Sequence, residues 1–299
     1  MTSLDVGIVT WNTRDLTLQA IEAVLASSDV EVRVLVRDNG STDGTADAVR
    51  ERFPDVLLDV GDNVGFAAGV NALLAISEAP FFLTLNSDAW PEPGALRALL
   101  DTAALHDRAA AVAPLLLRPD GALEPSVHAL PGLLPAAASG LGLPLPRRRA
   151  AELCLPPAWQ HDSTRRVGWA VGAALLLRRA CLDEIGPLDE SFFMYAEDLE
   201  WCWRAHRAGW EIWFTPEATV RHVGNASGAT RFGPAREQVA IANANTVVAR
   251  YRGRSFTAAW RLLNAVGAGR AWWRARRAGD ADRARHWRDQ VPVHLGLRR

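Results

Sequence analysis

The sequence predicts an α/β chain with a Rossmann-like, mostly parallel central sheet flanked by helices and a C-terminal helical extension. Three observations lead there. Short runs of β-branched and aliphatic residues alternate with stretches of helical spacing through the first third of the chain. Polar, turn-forming clusters close those runs. The last part of the chain, rich in Arg and Trp, loses the strand signal and reads as helix.

Each element has its own reason. Val6-Gly7-Ile8-Val9-Thr10 is a compact apolar run and reads as a buried strand. From Asp15 to Ala26 the residues Leu16, Ala20, Val24 and Leu25 share one helical face. Val32 to Val36 is a second strand, ending in the dense turn cluster Asp38-Asn39-Gly40-Ser41-Thr42-Asp43-Gly44-Thr45. Ala46 to Arg52 is helical. Val56 to Val60 is a third strand and is followed by Asp62-Asn63-Val64-Gly65-Phe66. Ala67 to Ser77 is helical, and Phe81 to Leu85 is a fourth strand closed by Asn86-Ser87-Asp88. Strands alternating with helices imply parallel pairing through crossovers.

The chain divides into residues 1–235, which carry this pattern, and 236–299, the helical extension. Within the first part, residues 117–166 are rich in Pro, Gly and Leu and read as an irregular excursion over the sheet. The stretch from Ala129 is the most apolar, but prolines at 131, 135, 144 and 146 argue against a helix there. Regular structure returns at Val167 to Arg178. A helix runs from Glu197 to about Ala208 with Gly209 as its stop, and Glu211 to Phe214 and Thr219 to His222 read as two late strands.

Composition excludes several classes. Of the 299 residues 49% are hydrophobic and 22% charged, an ordinary globular balance, and the formal net charge of -1 gives no support for a nucleic-acid partner. Every Lys/Arg position is Arg. From Arg250 onward the only acids are Asp280, Asp282 and Asp289. Cys154, Cys181 and Cys202 are scattered, which indicates neither a zinc cluster nor a disulfide framework and suits a reducing, cytoplasmic setting. Neither a leader sequence nor a membrane-spanning run is apparent.

Ligands of open parallel sheets bind beyond the carboxyl ends of the strands. Here Thr10-Trp11-Asn12, Asp38 to Ser41, Asp62-Asn63 and Asn86-Ser87-Asp88 stand at such ends, which suggests one lined pocket. No G-x-G-x-x-G follows the first strand and no Walker sequence is present, which argues against dinucleotide and P-loop enzymes. In Ser191-Phe192-Phe193-Met194-Tyr195-Ala196-Glu197-Asp198-Leu199-Glu200 two carboxylates follow an aromatic wall, a setting that raises carboxyl pKa values and suits a proton acceptor. The same residues also suit a plain helix start, where the dipole favours acids. Asp88, after an apolar strand, can hold a hard cation that also touches a diphosphate, or can simply form a turn before Pro91. His222 becomes a ligand only if the fold returns its strand end to Asp88.

Taken in order, these blocks resemble the inverting glycosyltransferases of family 2, which have the GT-A fold. The opening strand with Trp11-Asn12, the Asp38 to Thr45 turn, Asp62 to Asn71, Asn86-Ser87-Asp88, Val171 to Arg179, Gly186 to Asp198 and Val220-Arg221-His222 carry the likeness over about residues 4 to 230. The pattern is most similar to the rhamnosyltransferase branch. The resemblance implies a nucleoside diphosphate sugar donor, a dTDP- or UDP-sugar. The acceptor would be a hydroxyl of a glycan or polyprenyl-linked glycan in cell-envelope polysaccharide and cell wall biogenesis. It implies that Thr10, Asn12, Asp38, Asn63, Gly65, Asn86, Ser87 and Asp88 contact the nucleotide sugar, with Gly65 allowing close backbone approach. Asp88 and His222 would ligate Mg²⁺ or Mn²⁺. Asp198 would be the general base and Glu197 its neighbour. Trp169, Gly172 and Tyr195 would border the acceptor, and Phe192, Phe193 and Tyr195 would offer apolar faces to sugar rings.

Two departures stand out. Asn86 fills a position where many members have Asp, and an amide is the weaker ligand. Arg37 stands before Asp38 as a phosphate contact or as the solvent-facing end of a strand. The Arg- and Trp-rich extension reads either as a peripheral contact with the inner face of the membrane or as structural helices. Three other functions remain: a sugar-phosphate nucleotidyltransferase, which would carry a basic Gly-rich loop where Trp11-Asn12-Thr13 stands, an inactive sugar-nucleotide-binding protein, and a nucleic-acid-binding protein, for which the basic tail is the only support.

Overall fold

The computed structural model describes residues 3–154, 159, 161–224 and 231–297. The chain forms two compact units. One comprises Met1–His128 and His161–Arg231, the other Ala129–Gln160 and Phe232–Arg299.

The first unit is built on a mixed sheet. Strands β1 (Leu4–Thr10), β2 (Val32–Asp38), β3 (Leu57–Val60) and β4 (Phe81–Asn86) run parallel in the order β3-β2-β1-β4. Helices α1 (Arg14–Leu25), α2 (Thr45–Arg52) and α3 (Phe66–Ile76) connect them. Leu4, Val6 and Ile8 on one face of β1 are fully buried, and Asp5 and Gly7 on the other face are buried too, as a central strand covered on both faces requires. Gly7 makes room for a ring: a Cβ there would lie 2.2 Å from Cζ of Phe82.

Beyond β4 the sheet turns mixed. After β5 (Ala89–Pro91) and helix α4 (Ala95–Leu105) come β6 (Ala109–Leu117), β7 (Leu123–Glu124) and β8 (Val127–His128). The later strands are β9 (Arg165–Val167), β10 (Trp169–Ala170), β11 (Ala174–Arg178) and β12 (Glu211–His222). The path continues β4-β11-β6-β12-β5, with β11 antiparallel to both neighbours and β6 parallel to β12. The two late strands expected from sequence are one strand. Its register against β6 shifts between Thr215 and Thr219, so Pro216, which cannot donate to the ladder, sits in an irregularity instead of ending the strand.

Two pairings position the site. Antiparallel β11 brings Val171 to Ala173, the residues before it, to the C-terminal end of β4, where Asn86 N donates to Ala173 O at 2.8 Å. Antiparallel β5, directly after Asp88, pairs with the end of β12, so that His222 stands opposite Ala89 and Val223 N donates to Asp88 O at 3.0 Å. Helices α7 (Arg179–Ile185) and α8 (Glu197–Arg207) complete the unit. Trp201 of α8 is fully buried and donates Nε1 to Gly186 O at 3.1 Å.

The second unit corrects the expected irregular excursion. It contains α5 (Leu133–Leu141) and α6 (Arg147–Glu152), together with α9 (Arg236–Arg252), α10 (Arg254–Arg277) and α11 (Ala281–His294), the helices expected at the C-terminus. Pro135 does not prevent α5 because it lies in the first turn, where no intrahelical N–H bond is lost. Gly140 of α5 and Gly267 of α10 let the two backbones meet: a Cβ on Gly140 would stand 2.2 Å from Leu263 O. Among the described residues no helix is long and apolar enough to cross a membrane.

Candidate active site

A cavity opens at the C-terminal ends of β1 and β4. Its floor is a chain of buried hydroxyls. Thr10 Oγ1 lies 3.0 Å from Thr13 Oγ1 and 2.7 Å from Thr17 Oγ1, and Thr13 Oγ1 lies 2.8 Å from Ser87 Oγ. Thr10 and Ser87 line the cavity, but their hydroxyls are engaged in tying β1, α1 and β4 together. Asn12 and Asp38 stand behind the wall, outside the lining. Asn12 holds a left-handed backbone (φ 53) and accepts from Thr42 N at 2.7 Å through Oδ1. Asp38 is fully buried. Its Oδ1 accepts from Ser41 N at 2.7 Å, and its Oδ2 has no partner among the described residues. Arg37 serves neither expected role: it pairs with Asp59 at 2.5 Å and donates to Asn39 Oδ1 at 3.1 Å, with little of its side chain exposed.

Asn63 and Gly65 form one edge. Asn63 Oδ1 accepts from Gly65 N at 3.1 Å, and Asn39 Nδ2 donates to Gly65 O at 3.0 Å. Gly65 has φ 92, and a Cβ there would lie 2.4 Å from Phe193 O. Glycine is therefore demanded by the chain's own Phe193 segment, whose carbonyl also accepts from Phe66 N at 2.8 Å.

At the other edge Asp88 and His222 are both buried, with Asp88 Oδ1 3.2 Å from His222 Nε2. Asn86 Nδ2 lies 3.4 Å from the same nitrogen. Glu124 of β7 approaches His222 Nδ1 to 3.0 Å and fixes the ring. Burial pulls the imidazole pKa down, but hydrogen bonds to Asp88 and Glu124 and their charges overcome it, up to about 9. Among the described residues no group of three or more His, Cys, Asp or Glu is arranged to hold a metal ion. Two converging ligands, one carboxylate and one imidazole oriented by a second carboxylate, nonetheless fit a hard divalent cation that completes its shell with phosphate oxygens and water.

The carboxylate pair stands at the start of α8. Tyr195 and Ala196 precede it with φ 71 and 75, two consecutive left-handed non-glycine residues, each costing about 1–3 kcal/mol. Asp198 Oδ2 accepts from Gly172 N at 2.9 Å and Oδ1 from Leu199 N at 2.7 Å. Burial raises its pKa, against these two donors, which favour the charged form. Glu197 is more deeply buried. Its Oε2 has no partner among the described residues, and burial followed by the Asp198 charge pushes its pKa well up. The helix dipole at α8 is too weak to reverse this.

One cavity is lined by Asp88, His222, Glu197 and Asp198, together with Asn63, Gly65, Asn86, Gly172 and Tyr195. Trp169 lies outside the lining and stacks on His128 with ring centroids 4.7 Å apart. Phe192 is buried and also outside the lining, because the turn before α8 sends it inward while Phe193, Met194 and Tyr195 face the cavity. Sequence reasoning missed three contributors. Asn39 stood within the Asp38 to Thr45 turn with no role of its own. Glu124 belongs to a two-residue strand. Arg231 also lines the cavity, with its guanidinium 5.2 Å from the centre of the Phe193 ring.

Residues 5–150 match the family model for glycosyl transferase family 2. The chain is 35% identical over 218 residues to N-acetylglucosaminyl-diphospho-decaprenol L-rhamnosyltransferase of Mycobacterium tuberculosis, an alignment covering 68% of this chain and 71% of the relative. A shorter match, 39% over 51 residues and 17% of this chain, is to the low-salt glycan biosynthesis hexosyltransferase Agl10 of Haloferax volcanii, covering 16% of that protein. The fold is similar to that of the mannosyltransferase PcManGT from Pyrobaculum calidifontis, solved with GDP-Man and Mn2+. The TM-score is 0.60 at 17% identity, covering 98% of this chain and 84% of that one. It is also similar to GalNAc-T7 with UDP, GalNAc and Mn2+, with a TM-score of 0.61 at 12% identity, covering 99% and 56%.

Proposed function

The chain belongs to glycosyl transferase family 2, and on that footing we propose that it is an inverting, metal-dependent rhamnosyltransferase. The donor is a dTDP- or UDP-sugar, and the acceptor is a hydroxyl of a polyprenyl-linked amino-sugar glycan in cell wall assembly. The observation that carries this reading is the shared cavity, in which the Asp88–His222 pair and the Glu197–Asp198 pair face one space. The relative's lipid-linked acceptor supports the choice of acceptor, and the PcManGT complex supports a divalent ion.

Asp88 and His222 hold Mg²⁺ or Mn²⁺, with Glu124 keeping the imidazole oriented. The bound ion supplies charge neutralisation for the departing diphosphate. Arg231 adds a positive side chain on the same cavity. Asn63 and Gly65 border the nucleotide, while Asn12 and Asp38 shape its turn from behind. Asp198 is the base. Gly172 N and Leu199 N hold its carboxylate in one orientation, ready to take a proton from an acceptor hydroxyl about 3 Å away. The alkoxide oxygen attacks the anomeric carbon opposite the diphosphate, so a single displacement inverts the centre. Phe193 and Tyr195 give the sugar apolar walls and exclude water. The protein works at the cytoplasmic face of the membrane as a peripheral protein.

A thermal-shift panel of nucleotide sugars with and without Mn²⁺ tests the donor and the metal together. Metal-dependent stabilisation by one nucleoside diphosphate sugar is expected. Stabilisation by none of them, with or without Mn²⁺, would overturn the reading.

A further inference from the structure

The chain's net charge of -1 conceals a division. The helical unit carries 17 arginines against five acids, and the sheet-based unit 16 arginines against 29 acids. The acids of the helical unit are engaged. Glu152 pairs with Arg148 and Arg149, Asp282 with Arg285, Asp289 with Arg288 and Glu237 with His286, while Asp280 accepts from Arg283 N as a helix cap. Helix α10 has six arginines and no acid.

On this basic unit two apolar stripes face solvent. Leu262, Val266 and Trp273 of α10 are 57%, 36% and 54% exposed. Their spacing of four and seven residues puts them within one narrow stripe. Gly269 lies in the same stripe, and a Cβ there would meet nothing within 4 Å. The buried residues of the same helix, Ala265, Ala268 and Ala275, turn away from the stripe. Helix α5 carries no charge at all, and its Leu134 and Leu141, seven residues apart, are 41% and 38% exposed. The two helices touch through Gly140 and Gly267, and Arg270 of α10 donates to Leu141 O. The Arg277 guanidinium lies 4.7 Å from the ring centre of Trp273, a basic group over an interfacial aromatic.

We propose that the paired faces of α5 and α10 are a docking surface for an anionic lipid bilayer. Leu134, Leu141, Leu262, Val266 and Trp273 enter the headgroup boundary, and the surrounding arginines meet lipid phosphates. Charge complementarity selects this occupant. A second copy would set one arginine-rich surface against another, and a nucleic acid would leave the leucines and the tryptophan without an apolar partner. The proposal rests on the reading of the acceptor as lipid-linked. It narrows the contact expected of the Arg- and Trp-rich tail to one helix, α10, and adds α5 from the Ala129–Gln160 segment.

The test is co-sedimentation of the full chain with vesicles, compared with calorimetric binding of UDP and dTDP on the same preparations. Vesicles with about one-third phosphatidylglycerol are expected to bind at least tenfold more tightly than pure phosphatidylcholine. The Leu134→Glu/Leu262→Glu variant is expected to lose at least tenfold of that binding. Leu105→Glu, at the exposed last residue of α4 in the other unit, is expected to bind as wild type, and nucleotide binding is expected to be unchanged in both variants. Equal vesicle binding by Leu134→Glu/Leu262→Glu and wild type overturns the surface. So does a folded wild-type chain that binds nucleotide but not vesicles. So does a variant whose only change is loss of self-association, or of binding to a DNA duplex. Vesicle binding without nucleotide binding leaves the surface standing and overturns the glycosyltransfer reading instead.

Discussion

The two units meet opposite electrostatic demands. The sheet-based unit is strongly acidic and still turns Asp88, Glu124, Glu197 and Asp198 toward one cavity. The ionised members of this set would repel a diphosphate. On the proposed reading, His222, Arg231 and a divalent ion would offset that repulsion for an anionic donor. The helical unit has the reverse balance, with arginines around exposed leucines and a tryptophan and no comparable cluster of buried acids among its described residues. On the two proposals above, separating the charges would let one chain hold a metal and a proton acceptor in one place and attract an anionic surface in another. The near-zero total charge is the cancellation of two large and distinct numbers.

This division of labour fails if chemistry and surface binding cannot be lost separately. Asp198 should show the greatest loss. Asp198→Asn keeps the shape and the contact to Gly172 N but cannot accept the proton, so transfer should fall about 10²–10⁴-fold with donor and vesicle binding unchanged. In the wild type the raised Asp198 pKa means that activity is lost as pH falls through a value above the ordinary 3.8. A pH profile of kcat/KM with its acid limb at or below the ordinary value would contradict the buried base. Wild-type turnover by the Asn variant would remove Asp198 from the role.

A more moderate change is expected at Glu124, which touches His222 rather than the cavity centre alone. Glu124→Ala releases the ring and should weaken Mn²⁺ binding about 10–100-fold, measured by titration in the presence of UDP. Unaltered Mn²⁺ affinity would show that Asp88 and His222 are positioned without it.

Paired glycine substitutions set the two units side by side. Gly65→Ala drives a Cβ toward Phe193 O from a left-handed backbone and should cost more than about 2 kcal/mol, read from denaturant unfolding, together with most donor affinity. Gly140→Ala forces α5 from α10 and should cost about 1–3 kcal/mol with donor affinity intact and vesicle binding reduced. Equal loss of donor affinity in both would mean that the units do not act separately.

These residues also show where the sequence stops being legible. Alternating runs and turn clusters located β1 to β4 and α1 to α3 because period and turn chemistry are local. The blocks around Asp88, Asp198 and His222 were legible through family resemblance. What joins them was not. The approach of Asp88 to His222 depends on β5, three residues long, pairing with the end of β12. Glu124 reaches His222 through a strand of two residues that has no periodicity to detect. Asn12, Asp38 and Thr10 carry the right residue types, but only three-dimensional hydrogen bonding shows that Asn12 and Asp38 brace the wall and that the Thr10 hydroxyl is spent behind it. Helix α5 was hidden by Pro135, because a proline in a first turn and one in a helix interior look alike until the start of the helix is known.

A final, more modest effect distinguishes the two members of the carboxylate pair. Glu197 is buried with Oε2 unpartnered among the described residues, and its folded-state pKa lies well above the ordinary 4.5. The folded chain therefore holds its proton to higher pH than the unfolded chain does. Below the ordinary value both states are protonated and no penalty exists. As pH rises the unfolded chain releases the proton first, and stability falls until the folded group is also charged. Glu197→Gln removes that titration while keeping the volume, so the variant should be more stable than wild type at neutral pH. The gain should vanish near the ordinary carboxylate pKa, as read from urea unfolding at the two pH values. A variant less stable than wild type at neutral pH would mean that the Glu197 carboxylate is satisfied and charged in the folded chain. The strained turn at Tyr195 and Ala196 would then serve to aim a second anion at the cavity, and an acid-lined site would depend still more on the proposed cation.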